Sequence, residues 1–353
     1  AATMLLNLYV KRSNLNRKPS PVQRDVEIKF INDFPFIETE DQKTAWEEIS
    51  QDMSLSTPMD RLLCGDVGFG KTEIAMRAAF RCVLGGKRVA VLAPTTLLAN
   101  QHFASFNNRM NPHGILIDVV SRLQSKKGLD LIKIKILNNN NDVLIGTHSL
   151  LNDHSYLANI GLLIIDEEHR FGVSQKEKIK QFKTSIDVLS MSATPIPRSL
   201  NLALSGIYSI SLLQTPPLMR FPIITHIKLF DEIIIRDAIL FEVSRGGQVY
   251  FVHNNIQSIK SCSDRLRKLL PHQNIQNIHG KEAARTIENK MEKFISGSID
   301  VLVATSIIEV GIDVPNANCI IINNAHLFGL SQLYQMRGRV GRSHRQAYAY
   351  LFL

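Results

Sequence analysis

Short apolar runs alternate with longer stretches of helix-like, amphipathic spacing along most of this chain. Apolar runs bounded by polar residues predict buried strands, and they occur at 61–64, 89–92, 143–145, 162–165, 188–191, 249–252, 275–278, 301–304, 319–322 and 347–353. Helical spacing predicts helices at 73–80, 258–270 and 282–295. Strands that alternate with helices in this way usually pair in parallel. The pattern therefore predicts an α/β fold built on parallel sheets.

A cluster of prolines divides the pattern into two halves. Pro216 and Pro217, with Pro222 close behind, predict a linker between two domains. The chain has 353 residues, which is enough for two domains that each bury a core of their own. We therefore predict an N-terminal helical extension at 1–33, a first lobe at 34–214, a linker at 215–222 and a second lobe at 223–353.

Charge and cysteine content bear on the partner and the compartment. The net charge of +9 favours a polyanionic partner, because lysine and arginine displace counterions from phosphates. A solvated basic surface without a ligand is equally compatible with this charge. The four cysteines form no CxxC pair, so neither a zinc ribbon nor a disulfide framework is indicated, and a reducing cytoplasm fits best. The apolar stretch at 4–10 is too short to span a membrane.

A glycine-rich segment carries the first candidate chemistry. It matches the phosphate-binding pattern GxxxxGK followed by Ser or Thr, and its residues are Gly65, Asp66, Val67, Gly68, Phe69, Gly70, Lys71 and Thr72. In this pattern backbone N–H groups surround the phosphates, the lysine reaches the β- and γ-phosphates, and the hydroxyl binds Mg²⁺. A glycine turn with a surface lysine is the alternative. The apolar run before the loop and the helical spacing after it favour an ATP site.

An acidic segment follows another predicted strand. Asp166 and Glu167 come directly after the apolar run 162–165, and such strand ends are where α/β sheets bind ligands. In a nucleotide triphosphatase, Asp166 would hold Mg²⁺, and Glu167 would orient and deprotonate the attacking water. Taken alone, an acidic cluster is more often a solvated turn. The phosphate loop earlier in the chain favours the catalytic interpretation.

A third segment, RGRVGR at 337–342, lies in the predicted second lobe. Arg339 and Arg342 are three residues apart and share a face if this stretch is helical. Acting on ATP from that lobe, they would be arginine fingers, which supply ~10³–10⁵ in rate in such enzymes. A basic surface patch is the alternative, and it would be favoured without the other motifs.

Taken in order, these segments resemble the motifs of helicase superfamily 2. The set comprises 65–72, 93–98, 146–148, 166–169, 192–195, 279–280, 305–313 and 335–342. Four longer segments closely resemble the bacterial transcription-repair coupling factor family (Mfd). Their sequences are GDVGFGKTEIAMRAAF, DEEHRFG, SATPIPR and QLYQMRGRVGRSHRQAYAY. The related branched-DNA helicase RecG typically has glutamine at the position of Glu168 and serine at that of Phe69. These two positions favour the coupling factor family. The resemblance as a whole implies two RecA-like lobes.

The resemblance also implies roles for single residues. Gln42 would read adenine, although an ordinary first-turn helix residue is nearly as compatible, and Gly311 and Asp313 would contact the ribose. The residues implied to couple nucleotide state to DNA grip are Glu168, His169, Ser192, Ala193, Thr194 and Gln335. The residues implied to touch DNA phosphates without reading bases are Thr95, Thr147, His148 and Thr305. Serine at 192 replaces a threonine common in the family and keeps the hydroxyl.

The function implied by the resemblance is ATP- and Mg²⁺-dependent movement along double-stranded DNA in the bacterial cytoplasm. In the family this movement displaces stalled RNA polymerase and recruits excision-repair proteins. The modules that bind those partners, and the hairpin that follows the last motif, have no counterpart in this sequence, so we expect a motor core alone. One alternative is a RecG-like remodeller of forked DNA. Such a protein needs a wedge domain ahead of the motor, and residues 1–33 are too few to form one. The other is a nucleotide-dependent DNA-binding module without motor activity.

Overall fold

The computed structural model describes residues 19–121, 124–182, 185–193, 209–217, 221–305, 312–341 and 345–353. The chain separates into two compact units, residues 1–218 and 219–353. We call the described residues of these units lobe 1 and lobe 2. Each lobe contains one sheet with parallel strand pairing. This confirms the predicted α/β fold of two RecA-like lobes.

Lobe 1 alternates strands and helices from residue 24 onward. Its described helices are α1 (Arg24–Asn32), α2 (Glu40–Ser54), α3 (Lys71–Leu84), α4 (Thr96–Met110), α5 (Lys126–Leu137) and α6 (Val173–Phe182). Its strands are β1 (Asp60–Gly65), β2 (Arg88–Leu92), β3 (Ile117–Val120), β4 (Val143–Gly146), β5 (Ile160–Asp166), β6 (Asp187–Ser192) and β7 (Ser209–Leu213). Hydroxyl side chains fix several helix starts, since Thr39, Thr95 and Ser125 accept hydrogen bonds from first-turn amides of α2, α4 and α5.

The sheet of lobe 1 has the strand order β3-β4-β2-β5-β6-β1-β7. Successive residues of the central strand β5 face opposite sides: Leu162 and Ile164 join one apolar cluster, and Leu163 and Ile165 join the other. Helices therefore cover both faces, as a parallel sheet requires. Because the strands are parallel, the loops that follow β5, β6 and β1 emerge side by side at one edge. This edge positions the candidate site.

Helix α1 is part of the core of lobe 1, although the sequence analysis assigned it to an extension at 1–33. Phe30 is fully buried and stacks on Phe80 of α3, with ring centroids 4.2 Å apart. Arg81 of α3 donates to the buried carboxylate of Glu27, with its Nε 3.0 Å from Oε2. The helix suggested near the start of the chain lies outside the described residues.

Lobe 2 repeats the alternation on a smaller scale. Its described helices are α7 (Glu232–Ser244), α8 (Ile259–Leu269), α9 (Ala284–Ile295) and α10 (Leu330–Arg337). Its strands are β8 (Ile224–Lys228), β9 (Gln248–Val252), β10 (Ile275–Ile278), β11 (Val301–Ala304), β12 (Ala317–Ile322) and β13 (Tyr348–Phe352). The strand order is β10-β11-β9-β12-β13-β8. Phe251, Ile321 and Phe352 contribute to its apolar core beneath α7 and α8.

Three strands were not predicted from the sequence: β3, β7 and β8. Each lies at an edge of its sheet. Edge strands bury fewer side chains than central ones, and β8 has almost none buried. The apolar runs that predicted the central strands are therefore weaker or absent in them.

The four cysteines are free thiols. Burial raises the pKa of Cys64, at the end of β1, to about 11, and that of Cys262 to about 11. Burial raises the pKa of Cys319 as well. Within the part of the chain that the structure describes, no helix has the length and apolar character needed to cross a membrane.

Candidate nucleotide site

The phosphate loop and the acidic segment follow strands β1 and β5, which lie on either side of β6 in the lobe 1 sheet. In the register, Cys64 of β1 lies beside Ser192 of β6, and Asp166 of β5 lies beside Met191 of β6. The loop that follows β1 and the residues that follow β5 therefore start at the same level of the sheet. Carboxyl ends of parallel strands are where open α/β sheets bind ligands.

The loop at 65–72 leads directly into α3. Gly68 and Gly70 have φ angles of +82° and +85°, which residues with a Cβ rarely adopt. Gly70 is the N-cap of α3 and has no side chain to occupy the helix amides. The ammonium of Lys71 donates to the carbonyls of Gly65 and Asp66, at 2.5 and 3.0 Å. An anion at this helix start would meet both the first-turn amides and the lysine.

Gln42 connects the start of α2 to the phosphate loop. Its Oε1 accepts from the Thr39 amide at 3.1 Å, and its Nε2 donates to the Phe69 carbonyl at 2.9 Å. A Cβ on Gly70 would lie 2.3 Å from that Nε2, so any other residue would displace the Gln42 amide and strain the left-handed backbone. The two contacts make Gln42 a support of the loop, and its adenine-reading role stays a prediction.

Within the acidic segment, two carboxylates have partners on neighbouring elements. His102 Nε2 of α4 lies 2.8 Å from Asp166 Oδ2. Ser190 of β6 donates to Glu168 Oε2 at 2.7 Å. Helix α4 therefore holds the Asp166 carboxylate, and strand β6 holds the Glu168 carboxylate. Neither His102 nor Ser190 was predicted from the sequence as part of the site.

Glu167 lies between them in a left-handed backbone conformation, with φ +51°. Its amide donates to the Met191 carbonyl at 2.9 Å, and its buried carboxylate lies 3.3 Å from His169 Nδ1. Burial lowers the pKa of His169, and the nearby charges of Arg170 and Lys176 lower it further. At neutral pH the His169 imidazole beside Glu167 is therefore uncharged.

The residues that fit a magnesium ion are the Thr72 hydroxyl and the Asp166 carboxylate. Thr72 lies in the first turn of α3, and Asp166 ends β5, two strands away at the same edge. Among the described residues, no three metal-binding side chains of His, Cys, Asp or Glu come together. Magnesium bound with a nucleotide needs only one or two carboxylates, because phosphate and water oxygens complete its octahedron. The pair therefore suits Mg²⁺ carried with ATP.

The predicted DNA contacts of lobe 1 follow the strands β2 and β4. Thr95 caps α4, accepting from the Leu98 amide at 3.3 Å. Thr147 is buried, with its hydroxyl 3.0 Å from that of Ser149, and His148 begins a short 3-10 helix at 148–152. All three follow carboxyl ends of the strands. Their contact with DNA stays a prediction.

The remaining predicted residues lie in two places. Ser192, which ends β6, is buried, and Ala193 follows it. In lobe 2, Thr305 and Arg339 are buried, Asp313 is exposed and Gln335 is half-buried on α10. Three others, Thr194, Gly311 and Arg342, lie outside the described residues. Their roles stay predictions.

Two family descriptions match the chain. "DEAD/DEAH box helicase" matches residues 39–203, and "Helicase conserved C-terminal domain" matches residues 226–344. The chain is 48% identical to a transcription-repair-coupling factor of Haemophilus influenzae over 99% of this chain and 30% of that protein. It is also 48% identical to one of Buchnera aphidicola, over 100% of this chain and 51% of that protein. The chain thus spans from 30% to 51% of the length of these relatives.

A solved structure of RecG bound to a three-way DNA junction is similar as well. Its TM-score is 0.84 and its sequence identity 34%, covering 99% of this chain and 48% of that one. The likeness extends across the elements that build the candidate site.

Proposed function

Because the chain belongs to the superfamily 2 helicases, we propose that it is an ATP-driven motor that translocates along double-stranded DNA. The observation that carries the proposal is the placement of the phosphate loop and Asp166-Glu167 at the same edge of one sheet, after two strands that both pair with β6. This arrangement supplies the parts needed for phosphoryl transfer to water: an anion-binding helix start, a lysine, a magnesium carboxylate and a base.

Each residue has a defined task in this proposal. The Lys71 ammonium, now on two loop carbonyls, binds the β- and γ-phosphates. The Thr72 hydroxyl and the Asp166 carboxylate hold Mg²⁺, which neutralises phosphate charge when bound. Glu167 orients the attacking water and accepts its proton. Gln42 keeps the loop in the shape that receives the phosphates, through its bond to Phe69.

Arg339 and Arg342 are proposed to stabilise the charge that develops during hydrolysis. Arg339 is buried in lobe 2, where its amide donates to the Met336 carbonyl at 3.0 Å. We expect Arg342→Ala to lower the rate of hydrolysis by ~10³–10⁵ and to change ATP affinity far less, because such arginines act on the transition state. Equal losses in rate and affinity would indicate ground-state binding instead, and an unchanged rate would exclude Arg342 as an arginine finger.

The finer proposal concerns the pathway. The identity of 48% with transcription-repair-coupling factors, against 34% with RecG, favours a role in displacing stalled RNA polymerase and recruiting excision-repair proteins. The similar coupling factors are bacterial, and on that ground we propose a bacterial cytoplasmic location. Branched-DNA remodelling of the RecG type is the second candidate. ATP-dependent release of a stalled transcription complex would favour the first, and regression of a synthetic fork the second.

The central experiment measures ATP hydrolysis with and without duplex DNA. We expect DNA-stimulated, Mg²⁺-dependent turnover that Lys71→Ala abolishes. Lys135→Ala is the control, because this exposed lysine of the same lobe only pairs with Asp118. A purified, folded chain that binds ATP and DNA without turnover would be a binding module, and substantial turnover by Lys71→Ala would refute the site assignment.

A further inference from the structure

His102 connects helix α4, which bears the proposed DNA contact Thr95, to the proposed magnesium carboxylate. Its Nε2 lies 2.8 Å from Asp166 Oδ2, and the two side chains are 8% and 14% exposed. An ionised carboxylate only accepts hydrogen bonds, so Nε2 must carry the proton. Phe106, one turn further along α4, packs edge-on against the imidazole, with ring centroids 6.3 Å apart. The ring is therefore held in position on both sides.

We propose that His102 is a positioning residue that orients the Asp166 carboxylate for Mg²⁺, and that α4 acts on the metal site through it. The inference rests on the proposed function, since it assigns Asp166 to magnesium. Groups that hydrogen-bond a metal-binding carboxylate fix its orientation, and their loss typically weakens metal binding by ~10–100-fold. His102 is a group of this kind on Asp166.

Helix α4 also bears a proposed DNA contact at its N-terminus. Thr95 caps the helix, and His102 follows seven residues later, about two turns or ~10 Å along the axis. Between and beyond them, Leu98, Ala99 and Phe106 are buried in the core of lobe 1. A packed helix moves as a unit, so a shift that DNA imposes at Thr95 reaches the imidazole. DNA binding would thereby adjust the carboxylate that holds Mg²⁺.

A purely structural histidine–carboxylate pair provides the matched control. His113, also in lobe 1, lies 3.4 Å from Asp33. It packs edge-on against Phe30 and Phe80, with centroids 5.0 and 5.6 Å away. Its carboxylate partner has no proposed role at the nucleotide. His113→Ala therefore removes a comparable set of contacts without touching the metal site.

The test is equilibrium binding of a fluorescent, non-hydrolysable ATP analogue, titrated with and without Mg²⁺. We expect His102→Ala to raise the Mg²⁺ concentration for half-maximal binding by ~10–100-fold, with metal-free nucleotide affinity unchanged. His102→Gln should recover much of the loss, because its amide nitrogen replaces Nε2 as the donor. His102→Asn, whose shorter side chain falls short of Asp166, should behave like alanine. His113→Ala should resemble the wild type.

The outcomes separate this inference from the proposed function. If Lys71→Ala binds the analogue as the wild type does, the proposed function fails. If Lys71→Ala loses binding but His102→Ala keeps the wild-type Mg²⁺ requirement, the inference alone fails. Should His102→Ala fail to fold, as shown by thermal unfolding, the comparison of His102→Asn with His102→Gln decides: equal Mg²⁺ requirements would overturn the inference.

Duplex DNA tests the part played by α4. We expect DNA to adjust Asp166 in favour of Mg²⁺ and so to tighten binding of the magnesium–analogue complex. By thermodynamic linkage, this complex must then tighten DNA binding by the same factor. We expect this coupling in the wild type and in His113→Ala, and its loss in His102→Ala. Coupling of wild-type strength in His102→Ala would show that DNA reaches the site by another route.

Discussion

The sheets of the two lobes match in strand order, but one strand at a matching position is connected to its following helix in a different way in each lobe. Aligning the orders β3-β4-β2-β5-β6-β1 and β10-β11-β9-β12-β13-β8 places β8 in lobe 2 where β1 stands in lobe 1. Each of these strands leads into a helix, α3 after β1 and α7 after β8. In lobe 1 the connection is the glycine loop at 66–70, and in lobe 2 it is the three residues at 229–231.

The helix caps show what this difference does. Gly70 leaves the first amides of α3 without a side-chain acceptor of its own, whereas Asp231 accepts from the amides of Ile233 and Ile234 at 2.7 and 3.3 Å. A carboxylate thus takes the place in α7 that a phosphate would take in α3. The RecA-like fold positions a helix start in both lobes, but only the loop chemistry of lobe 1 makes it a nucleotide site.

The largest expected effect comes from giving lobe 1 the cap of lobe 2. Gly70→Asp places a carboxylate at the start of α3, where it competes for the amides and repels phosphate. We expect nucleotide affinity to fall about a thousandfold or more, since juxtaposed like charges cost several kcal/mol.

Gly70→Ala is the control for this substitution, because it brings the same left-handed strain and the same contact with Gln42 but no charge. Titration of a fluorescent nucleotide compares the two. An equal loss of affinity in both variants would show that shape, not charge, distinguishes the lobes.

The next effect separates binding from chemistry in lobe 1. Glu167→Gln should lower the rate of hydrolysis by roughly 10²–10⁴-fold, because an amide can orient water but cannot accept its proton. ATP affinity should stay near the wild-type value. Glu232→Gln, at the first position of α7, makes the same chemical change in lobe 2 and should leave the rate unchanged. Single-turnover hydrolysis measures both, and rapid turnover by Glu167→Gln would exclude it as the base.

A smaller effect is expected from removing the cap of lobe 2. Asp231→Ala should lower the free energy of unfolding by about 0.5–2 kcal/mol, the usual cost of losing an N-cap, and leave ATP affinity unchanged. Chemical denaturation followed by fluorescence measures the loss. Enhanced nucleotide binding by this variant would mean that the cap, rather than the absent glycine loop, keeps lobe 2 free of nucleotide.

The smallest effect is a dependence of stability on pH in lobe 2. Burial lowers the pKa of His253, whose Nε2 lies 2.8 Å from Ser258 Oγ and whose Nδ1 lies 3.0 Å from Asn323 Nδ2. Its stabilising contribution is complete above the unfolded-state pKa of about 6.5 and is lost as the pH falls through the lower folded value. We expect a decrease in unfolding free energy between pH 7.5 and pH 5.5 smaller than that for Asp231→Ala. Denaturation at both pH values should show less dependence in His253→Gln; an unchanged dependence would exclude this histidine as its source.

The sequence was sufficient for the central strands and for the phosphate loop, because both depend on local pattern. Each predicted apolar run became a strand, and the loop lies between β1 and α3. The edge strand β8 was missed because four of its five residues are exposed. Such a strand is defined by its backbone pairing with β13, which side-chain pattern does not reveal.

The supports of the candidate site were missed for a different reason. His102 and Asp166 are 64 positions apart in the sequence, and a histidine on an amphipathic helix looks like any other half-buried residue. Only the meeting of α4 with the end of β5 gives it a partner. Likewise, the bond between Gln42 and Phe69 depends on how α2 packs beside the loop. The proposed reacting residues lie in short motifs that can be recognised in the sequence. The residues that position them come from distant parts of the chain and can be identified only in the folded structure.

The raised pKa values of the buried thiols have a practical consequence for spectroscopy. At pH 7 Cys64 and Cys262 are almost entirely protonated, and maleimide dyes react with thiolates. New cysteines at exposed positions, such as Leu137→Cys in lobe 1 and Leu327→Cys in lobe 2, should therefore label much faster than the native ones. A donor and an acceptor dye attached there would report the separation of the lobes through each ATP cycle, with every native cysteine left in place.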